Sequence, residues 1–313
     1  MRNMYPQNGN ADVREVIGSF IYDQSLRKLV EAFGGKYPGP TFREDLKYLV
    51  AFSERWDYRK NINTKTENNE KARWLIEQDT LTRHQLDCLS KAKEKLGLID
   101  NSTPQERYYD YIWVLGGARL SCLLRTRLAN LICKNLKKSP KKISLLGSSR
   151  FINESERAAT DTYAPNAKTE FDLFLFAHDK EFGNSNYSMQ EEQNENVNLS
   201  WRILEYDDGV SVLSAPSLEP STRRANSLDT YMFFVKTYNI QPKESILLVT
   251  SEIYVPYQHL EAFRSIALSK NVSIETVGFP AAWGGELQGM SSNENYLQEI
   301  RSAIQSLSRL LGC

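Results

Sequence analysis

The spacing of apolar residues changes near residue 100 and divides the chain into two regions. Before that point, apolar residues recur every three or four positions, which is typical of amphipathic helices. One such stripe ends at Gly34-Gly35, a helix stop, and its members are Val13, Val16, Ile17, Phe20 and Ile21. A second stripe begins at Thr41 and Glu44, a capping-box pair, and a later one passes through Trp74. The pattern predicts an all-helical subdomain over residues 1–105.

After the turn-forming segment 100–104, short apolar runs alternate with amphipathic helices. Each run is apolar at consecutive positions, as expected of strands buried on both faces of a parallel sheet. The predicted strands are residues 111–115, 142–146, 171–176, 210–213, 246–249 and 272–277. Leu120, Leu124 and Leu128 recur at helical spacing between the first two strands, which favours βαβ crossovers. We therefore predict a Rossmann-like α/β domain over residues 106–313, with a largely parallel sheet and flanking helices.

Residues 184–198 form the most polar stretch of this second region. They are rich in Asn, Glu and Gln and contain no apolar run. Such segments usually lie on the surface between elements. We expect a mobile surface insertion here.

Composition limits the partners that the whole chain can attract. The 39 Lys and Arg residues balance 39 Asp and Glu residues, and 41% of the residues are hydrophobic, as in ordinary globular proteins. Nucleic acids and anionic membranes attract chains with a positive excess, so neither is expected as a partner. The four cysteines are far apart and form no CxxC pair, which favours reduced thiols. Without a signal-peptide pattern or a long apolar stretch, we expect a cytoplasmic protein.

Glycines and small hydroxyl residues follow several of the predicted strands. Ligands of open parallel sheets bind at the carboxyl ends of the strands, where helix N-termini present free N–H groups. The candidate ligand-binding residues at four such ends are Gly116, Gly117, Arg119, Gly147, Ser148, Ser149, Arg150, Asn226, Thr250, Ser251 and Tyr254. Arg119 and Arg150 follow glycine-containing ends, so we expect them to clamp a phosphate or a carboxylate. A tight strand-to-helix turn explains the Gly116-Gly117 pair equally well.

Two glutamates, Glu156 and Glu219, are candidate catalytic residues because they follow strand ends. A carboxylate that is desolvated in a crevice can serve as a general acid or base. A glutamate in the first turn of a helix also stabilises the helix dipole without any chemistry. From the residues alone, both interpretations stay open.

Four segments between residues 110 and 280 resemble the YdcF, SanA and ElyC family, a Rossmann-like domain family of unknown function. The segments are a Val-Leu-Gly-Gly strand end at 114–117, a Ser-Glu-Arg-Ala step at 155–158, an acidic-to-Asn loop at 219–226 and a Val-Thr-Ser strand end at 249–251. The resemblance implies a nucleotide-like or S-adenosylmethionine-like ligand at the strand ends, and it favours Glu156 as a site residue. Family members usually carry a His and then an Arg where this chain has Tyr254 and Tyr257, which predicts an altered or lost activity.

Several common catalytic motifs are absent from the sequence. The three histidines, His84, His178 and His259, have no metal-ligand spacing, so no metal site is expected. The sequence has no GxSxG elbow, no GxxxxGK[ST] phosphate loop and no GxGxxG fingerprint. Serine hydrolases, P-loop NTPases and standard NAD dehydrogenases are therefore disfavoured.

Two functions of different classes fit these observations. The first is a small-molecule binding or group-transfer enzyme that holds an anionic, nucleotide-like ligand between the four strand ends. The second is a non-catalytic interaction or sensor protein, in which residues 1–105 bind a protein partner and the α/β domain is degenerate. The departures at Tyr254 and Tyr257 favour the second function.

Overall fold

Seven strands in the described part of the chain form one mixed β-sheet. The computed structural model describes residues 12–37, 39–59 and 80–312. The strands are β1 (Tyr111–Leu115), β2 (Lys142–Gly147), β3 (Tyr187–Glu192), β4 (Trp201–Tyr206), β5 (Val210–Ser214), β6 (Ser245–Ser251) and β7 (Ser273–Phe279). Their order across the sheet is β3-β4-β5-β2-β1-β6-β7. Five strands, from β5 to β7 in this order, run parallel, whereas β4 runs antiparallel between β5 and the edge strand β3.

Helices cover both faces of this sheet. They are α1 (Val13–Ile21), α2 (Gln24–Ala32), α3 (Phe42–Ser53), α4 (Arg83–Lys95), α5 (Ser121–Cys133), α6 (Glu154–Thr160), α7 (Glu170–Glu181), α8 (Ser227–Thr237), α9 (Val255–Ala262), α10 (Leu268–Lys270), α11 (Gly285–Gln288) and α12 (Asn293–Leu311). Helices α5 and α7 pack on one face, and α8 and α9 pack on the other, where α12 packs against α9. The predicted α/β class, with a largely parallel sheet and flanking helices, is confirmed.

The central strand β1 shows why consecutive apolar residues predict a buried strand. All five of its residues are buried. Tyr111, Trp113 and Leu115 belong to the apolar cluster on the α8 and α9 side, and Ile112 and Val114 belong to the cluster on the α5 side. Because side chains alternate along a strand, a strand covered on both faces needs apolar residues at every position.

Residues 171–176 form part of helix α7, so the predicted strand there is wrong. The hydroxyl of Thr169 accepts from the N–H of Asp172 at 3.3 Å, and the Asp172 carboxylate accepts from the N–H of Thr169 at 2.8 Å. This reciprocal capping box fixes the start of a helix. Phe171 and Phe174 then lie buried on one side at helical spacing, and a short apolar run does not distinguish that arrangement from a buried strand.

The sequence does not predict the two antiparallel strands, β3 and β4. Strand β3 lies within the polar segment 184–198, and all six of its residues are exposed, so it carries no apolar run. The segment is on the surface, as expected, but it extends the sheet. Its mobility stays a prediction.

The N-terminal region is helical, as predicted, and it packs against α12. The single first helix predicted up to Gly34 is instead divided, because the carboxylate of Asp23 accepts from the N–H of Ser25 at 2.7 Å and caps α2. Buried residues of α1 to α4 join those of α12 in one apolar cluster. Arg301 of α12 pairs with Glu54 at 2.7 Å. Trp74 lies outside the described residues, and the domain division stays a prediction.

Every helix that the structure describes is too short or too polar to span a lipid bilayer.

Candidate functional site

The helices that follow β1 and β6 lie on opposite faces of the sheet. Helix α5 follows β1 and packs on one face, whereas α9 follows β6 and packs on the other. Such a reversal opens a crevice outside the carboxyl ends of the two strands, and ligands of doubly wound sheets bind there. The predicted residues Gly116, Gly117, Thr250 and Ser251 lie at these two ends. We call the carboxyl ends of β1, β2 and β6, with the adjoining side chains of α5, α6 and α7, the strand-end site.

Arg125 of α5 bridges the two strands at this reversal. Its side chain is buried, and its Nη1 donates to the carbonyl oxygens of Leu115, at 2.8 Å, and Gly116. Its Nε and Nη2 lie 3.3 and 3.0 Å from Oγ of Ser251. The guanidinium carbon lies 5.9 Å from the ring centre of Tyr254. A buried cation that sequence reasoning missed therefore joins three predicted site residues.

The two glycines after β1 make room for charged side chains of the protein itself. A Cβ on Gly116 would lie 2.7 Å from the carboxylate of Glu170, and a Cβ on Gly117 would lie 2.9 Å from Nη1 of Arg125. Both distances are shorter than side chains tolerate. The Gly116-Gly117 pair thus allows Glu170 and Arg125 to approach the end of β1.

A second buried arginine, Arg150, lies between two glutamates. Its Nη1 is 3.2 and 3.0 Å from the two carboxylate oxygens of Glu156, and its Nε is 3.9 Å from Oε1 of Glu170. Ser148 donates its hydroxyl to Oε2 of Glu170 at 2.6 Å. Burial alone would lower the pKa of Arg150, but the charges of Glu170 and Glu156 raise it. The guanidinium therefore stays charged between two carboxylates.

Local structure explains how α6 holds Glu156 in this position. Asn153 precedes α6, and its N–H donates to Oε2 of Glu156 at 3.1 Å as part of a capping box. The Glu156 side chain is completely buried. The Glu156 carboxylate therefore accepts from the N–H of Asn153 in its own helix cap and also pairs with Arg150. Because the cap fixes the carboxylate, Glu156 can hold the arginine in place.

Two buried polar atoms of the strand-end site have no hydrogen-bond partner among the described residues. They are Nη2 of Arg150 and Oγ1 of Thr250. Arg150 is 9% exposed and Thr250 is fully buried. Because nearly all buried polar groups in native proteins are hydrogen-bonded, each such atom calls for a polar partner from a ligand or from solvent.

The other predicted site residues have more local roles. The carbonyl oxygen of Arg119 accepts from the hydroxyl of Tyr163 at 2.8 Å. Asn226 caps α8, where its side chain accepts from the N–H of Asp229 at 3.2 Å. The side chain of Glu219 is 63% exposed and pairs with Arg223 at 3.1 Å. Gly147 and Ser149 lie at the end of β2, where Gly147 packs against α7 and Ser149 is half-buried.

An open depression of about 450 Å³ lies beside α6. Its lining includes Glu154, Arg157, Asp161 and Lys168. These side chains are of both signs, and Arg150 and Glu156 are not among the lining residues. The depression therefore does not coincide with the buried cluster.

Comparisons with known proteins identify relatives over nearly the whole chain. The family model described as the Rv3785 N-terminal domain matches residues 5–97. Uncharacterized protein Rv3785 of Mycobacterium tuberculosis (strain H37Rv) is 33% identical over 324 residues, which cover 96% of this chain and 90% of that protein. Uncharacterized protein Mb3814 of Mycobacterium bovis has the same identity and coverage. No solved structure matches the chain.

Proposed function

The chain belongs to the Rv3785 family, and from that premise we propose that it binds a small anionic ligand at the strand-end site for a group-transfer reaction. The ligand class is nucleotide-like or S-adenosylmethionine-like. The observation that carries the proposal is the buried cluster of Arg125, Arg150, Glu156 and Glu170 at the ends of three adjacent parallel strands.

The cost of burying these four groups supports a functional role. Removing charges from water costs several kcal/mol per ion, and a buried ion pair often stabilises a fold less than apolar residues of similar size would. Apolar residues could have filled the space at the strand ends, as they fill the space around the middle of β1. Charged clusters of this kind are concentrated at binding and catalytic sites.

Each group has a role that follows from its contacts. Arg150 directs its remaining donor, Nη2, to a phosphate or carboxylate of the ligand, and Glu156 holds the guanidinium in position. Glu170 binds a ligand hydroxyl, as acidic residues bind ribose at comparable sites, or accepts a proton during transfer. Arg125 joins the ends of β1 and β6 and adds positive charge near Tyr254.

The resemblance to the YdcF, SanA and ElyC family supports the same ligand class. Tyr254 and Tyr257 stand where that family usually has His and Arg. Arg125 and Arg150 supply cations at this edge of the sheet, so the loss of the family arginine does not leave the site without positive charge. The interaction hypothesis gains no comparable support, because the N-terminal helices bury their apolar faces against α12.

Isothermal titration with ATP, UDP-glucose and S-adenosylmethionine tests the proposal. We expect at least one probe to bind the wild-type protein. Glu170→Gln keeps the size of the side chain and an acceptor for Ser148 but removes the charge that binds the ligand hydroxyl, so it should lower the affinity for that probe by about tenfold, or 1.4 kcal/mol. Arg43→Gln, at an exposed position of α3, is the control and should bind as the wild type does. A folded wild-type protein that binds none of the three probes would contradict the proposal.

A further inference from the structure

The edge strand β3 has an open side. It is the last strand of the sheet and pairs with β4 alone among the described strands. All six residues are exposed, and the sequence Tyr-Ser-Met-Gln-Glu-Glu contains neither Lys nor Pro. Natural sheets usually protect a free edge with such residues or with a bulge, because an open edge pairs readily with another strand. Only the two glutamates at the end of β3 provide any protection.

Exposed apolar side chains lie along β3 and in the two loops at its carboxyl end. Five large apolar residues that are more than one-third exposed lie on β3 or in the two adjacent loops, and these are Tyr187, Met189, Val197, Leu199 and Leu218. The N–H of Ser217 donates to the carbonyl of Asn198 at 2.7 Å and holds the two loops together. Clustered apolar exposure of this kind marks interaction surfaces, whereas isolated exposed residues do not.

We propose that β3 pairs with β3 of a second copy of this chain, antiparallel, across a two-fold axis at Met189. In this register Met189 faces its own copy, Tyr187 lies opposite Glu191, and Ser188 lies opposite Gln190. The axis is perpendicular to the sheet, so each residue keeps its face and the two sheets become one. Such a two-fold contact is the commonest way in which identical chains associate.

The charge pattern of β3 fits a second copy in the antiparallel direction and disfavours a parallel one. The acidic residues Glu191 and Glu192 lie at one end of the strand, and the uncharged Tyr187 and Ser188 lie at the other. A parallel, in-register pair would set each glutamate beside its copy, and like charges directly opposite destabilise a sheet. The antiparallel pair instead sets the Glu191 carboxylate beside the Tyr187 ring and puts the apolar Met189 side chains at the centre.

Contacts within the chain already order the face of β3 on which Met189 and Tyr187 would pair with the second copy. The ring of Tyr187 packs edge-on against Tyr206 of β4 at 5.5 Å. Tyr206 in turn stacks on the buried ring of His178 at 3.6 Å. The Tyr187 side chain is therefore already ordered on the face that carries Met189, since residues two apart in a strand share a face.

Sedimentation velocity and light scattering of the full chain provide the first test. We expect a dimer for the wild type and a monomer for Met189→Lys, because two ammonium groups would meet at the axis. Leu131→Lys is the matched control. It introduces the same charge at an apolar residue of α5 that is 41% exposed and should leave the dimer intact. A wild-type protein that stays monomeric throughout the micromolar range overturns the proposal.

Disulfide cross-linking provides the second test, and it shows which residues of the two β3 strands lie opposite each other. Directly opposite residues of an antiparallel pair have Cα atoms about 4.5–5.5 Å apart, which is within reach of a disulfide. We expect Met189→Cys to form covalent dimers on mild oxidation. Gln190→Cys, which faces Ser188 on the other side of the sheet, should not form them. A dimer that persists in Met189→Lys, together with no cross-link in Met189→Cys, overturns the proposal. Neither test depends on ligand binding at the strand-end site.

Discussion

Nη2 of Arg125 lies 3.0 Å from Oγ of Ser251, and this contact joins the helix after β1 to the end of β6. The helices that follow β1 and β6 lie on opposite faces of the sheet, so a single buried side chain spans the reversal. Its Nη1 also binds the carbonyl oxygens of Leu115, at 2.8 Å, and Gly116. Arg125 therefore fixes the spacing of the two strand ends between which we place the ligand.

Replacing this arginine with lysine should weaken both the fold and the site. Lysine carries the charge but lacks the planar fork that reaches Leu115 and Ser251 together. We expect Arg125→Lys to lower the free energy of unfolding by about 1.5–3 kcal/mol, the usual contribution of hydrogen bonds to a charged group. Urea denaturation measures this change, and titration with the probe bound by the wild type measures the loss of affinity. Arg127→Lys, on the exposed side of the same helix, is the control, and equal effects of the two substitutions would refute the assigned role.

Gly116 should not tolerate a side chain. A Cβ there would lie 2.7 Å from the Glu170 carboxylate and 2.9 Å from the carbonyl oxygen of Leu146 in the adjacent strand. The strand backbone cannot withdraw without shifting the sheet, so we expect Gly116→Ala to cost about 1–3 kcal/mol. Gly18→Ala is the opposite case, because its Cβ would be 3.8 Å from Phe42 and the helix would gain about 0.5–1 kcal/mol. Chemical denaturation of both variants checks the contrast. If Gly116→Ala is as stable as Gly18→Ala, the close approach of the Glu170 carboxylate to Gly116 is wrong.

The sequence predicts the parallel centre of the sheet well because burial on both faces leaves little choice of residue. Every position of β1 is apolar for that reason. The same logic fails for residues 171–176, where the run is apolar but the capping pair Thr169 and Asp172 starts a helix. It fails again at β3, because an edge strand exposed on both sides carries no apolar signal.

The strand-end site is only partly predictable for a related reason. Its glycines and hydroxyl residues are contiguous with the strands, so the sequence identifies them. Arg125 lies in the middle of a helix, but the sequence contains a signal, because Arg125 shares a helix face with the apolar residues Leu128 and Ile132, and the structure buries all three. A charged residue on an apolar helix face indicates a buried ion. Glu170 was missed because the strand predicted over 171–176 concealed the helix that begins at this residue.

Asp229 should make the stability depend on pH in the acid range. Its carboxylate accepts from the N–H of Asn226 at 2.7 Å and of Leu218 at 3.1 Å, and it pairs with Arg223. Burial alone would raise the pKa of Asp229, but these hydrogen bonds lower it below its ordinary value of 3.8. The folded protein therefore binds this proton less tightly than the unfolded chain does. The stabilisation is present above pH 3.8 and is lost as the pH falls through the folded-state pKa.

The variant Asp229→Asn isolates this contribution. It should lower the free energy of unfolding by about 1–3 kcal/mol at pH 7, and the difference from the wild type should narrow as the pH falls below about 4. Urea denaturation over a pH series measures both. Asp87→Asn, at an exposed position of α4, should show no such convergence. A constant difference at every pH would mean that Asp229 contributes through its two hydrogen-bond acceptors and not through its charge.

The cysteines of α5 should be inert to thiol reagents while the protein is folded. Cys122 is fully buried, and burial raises the pKa of its thiol. Burial also raises the pKa of Cys133, to about 12. Only the thiolate reacts, so both groups should react far more slowly at pH 8 in the folded protein than in the unfolded chain. N-ethylmaleimide followed by peptide mapping measures each cysteine separately, and unfolding in guanidinium chloride should bring both to full modification. Arg125 and Glu170 lie near Cys122 and should keep the start of α5 closed. Rapid labelling of Cys122 in the native protein would show instead that this end of the helix opens readily.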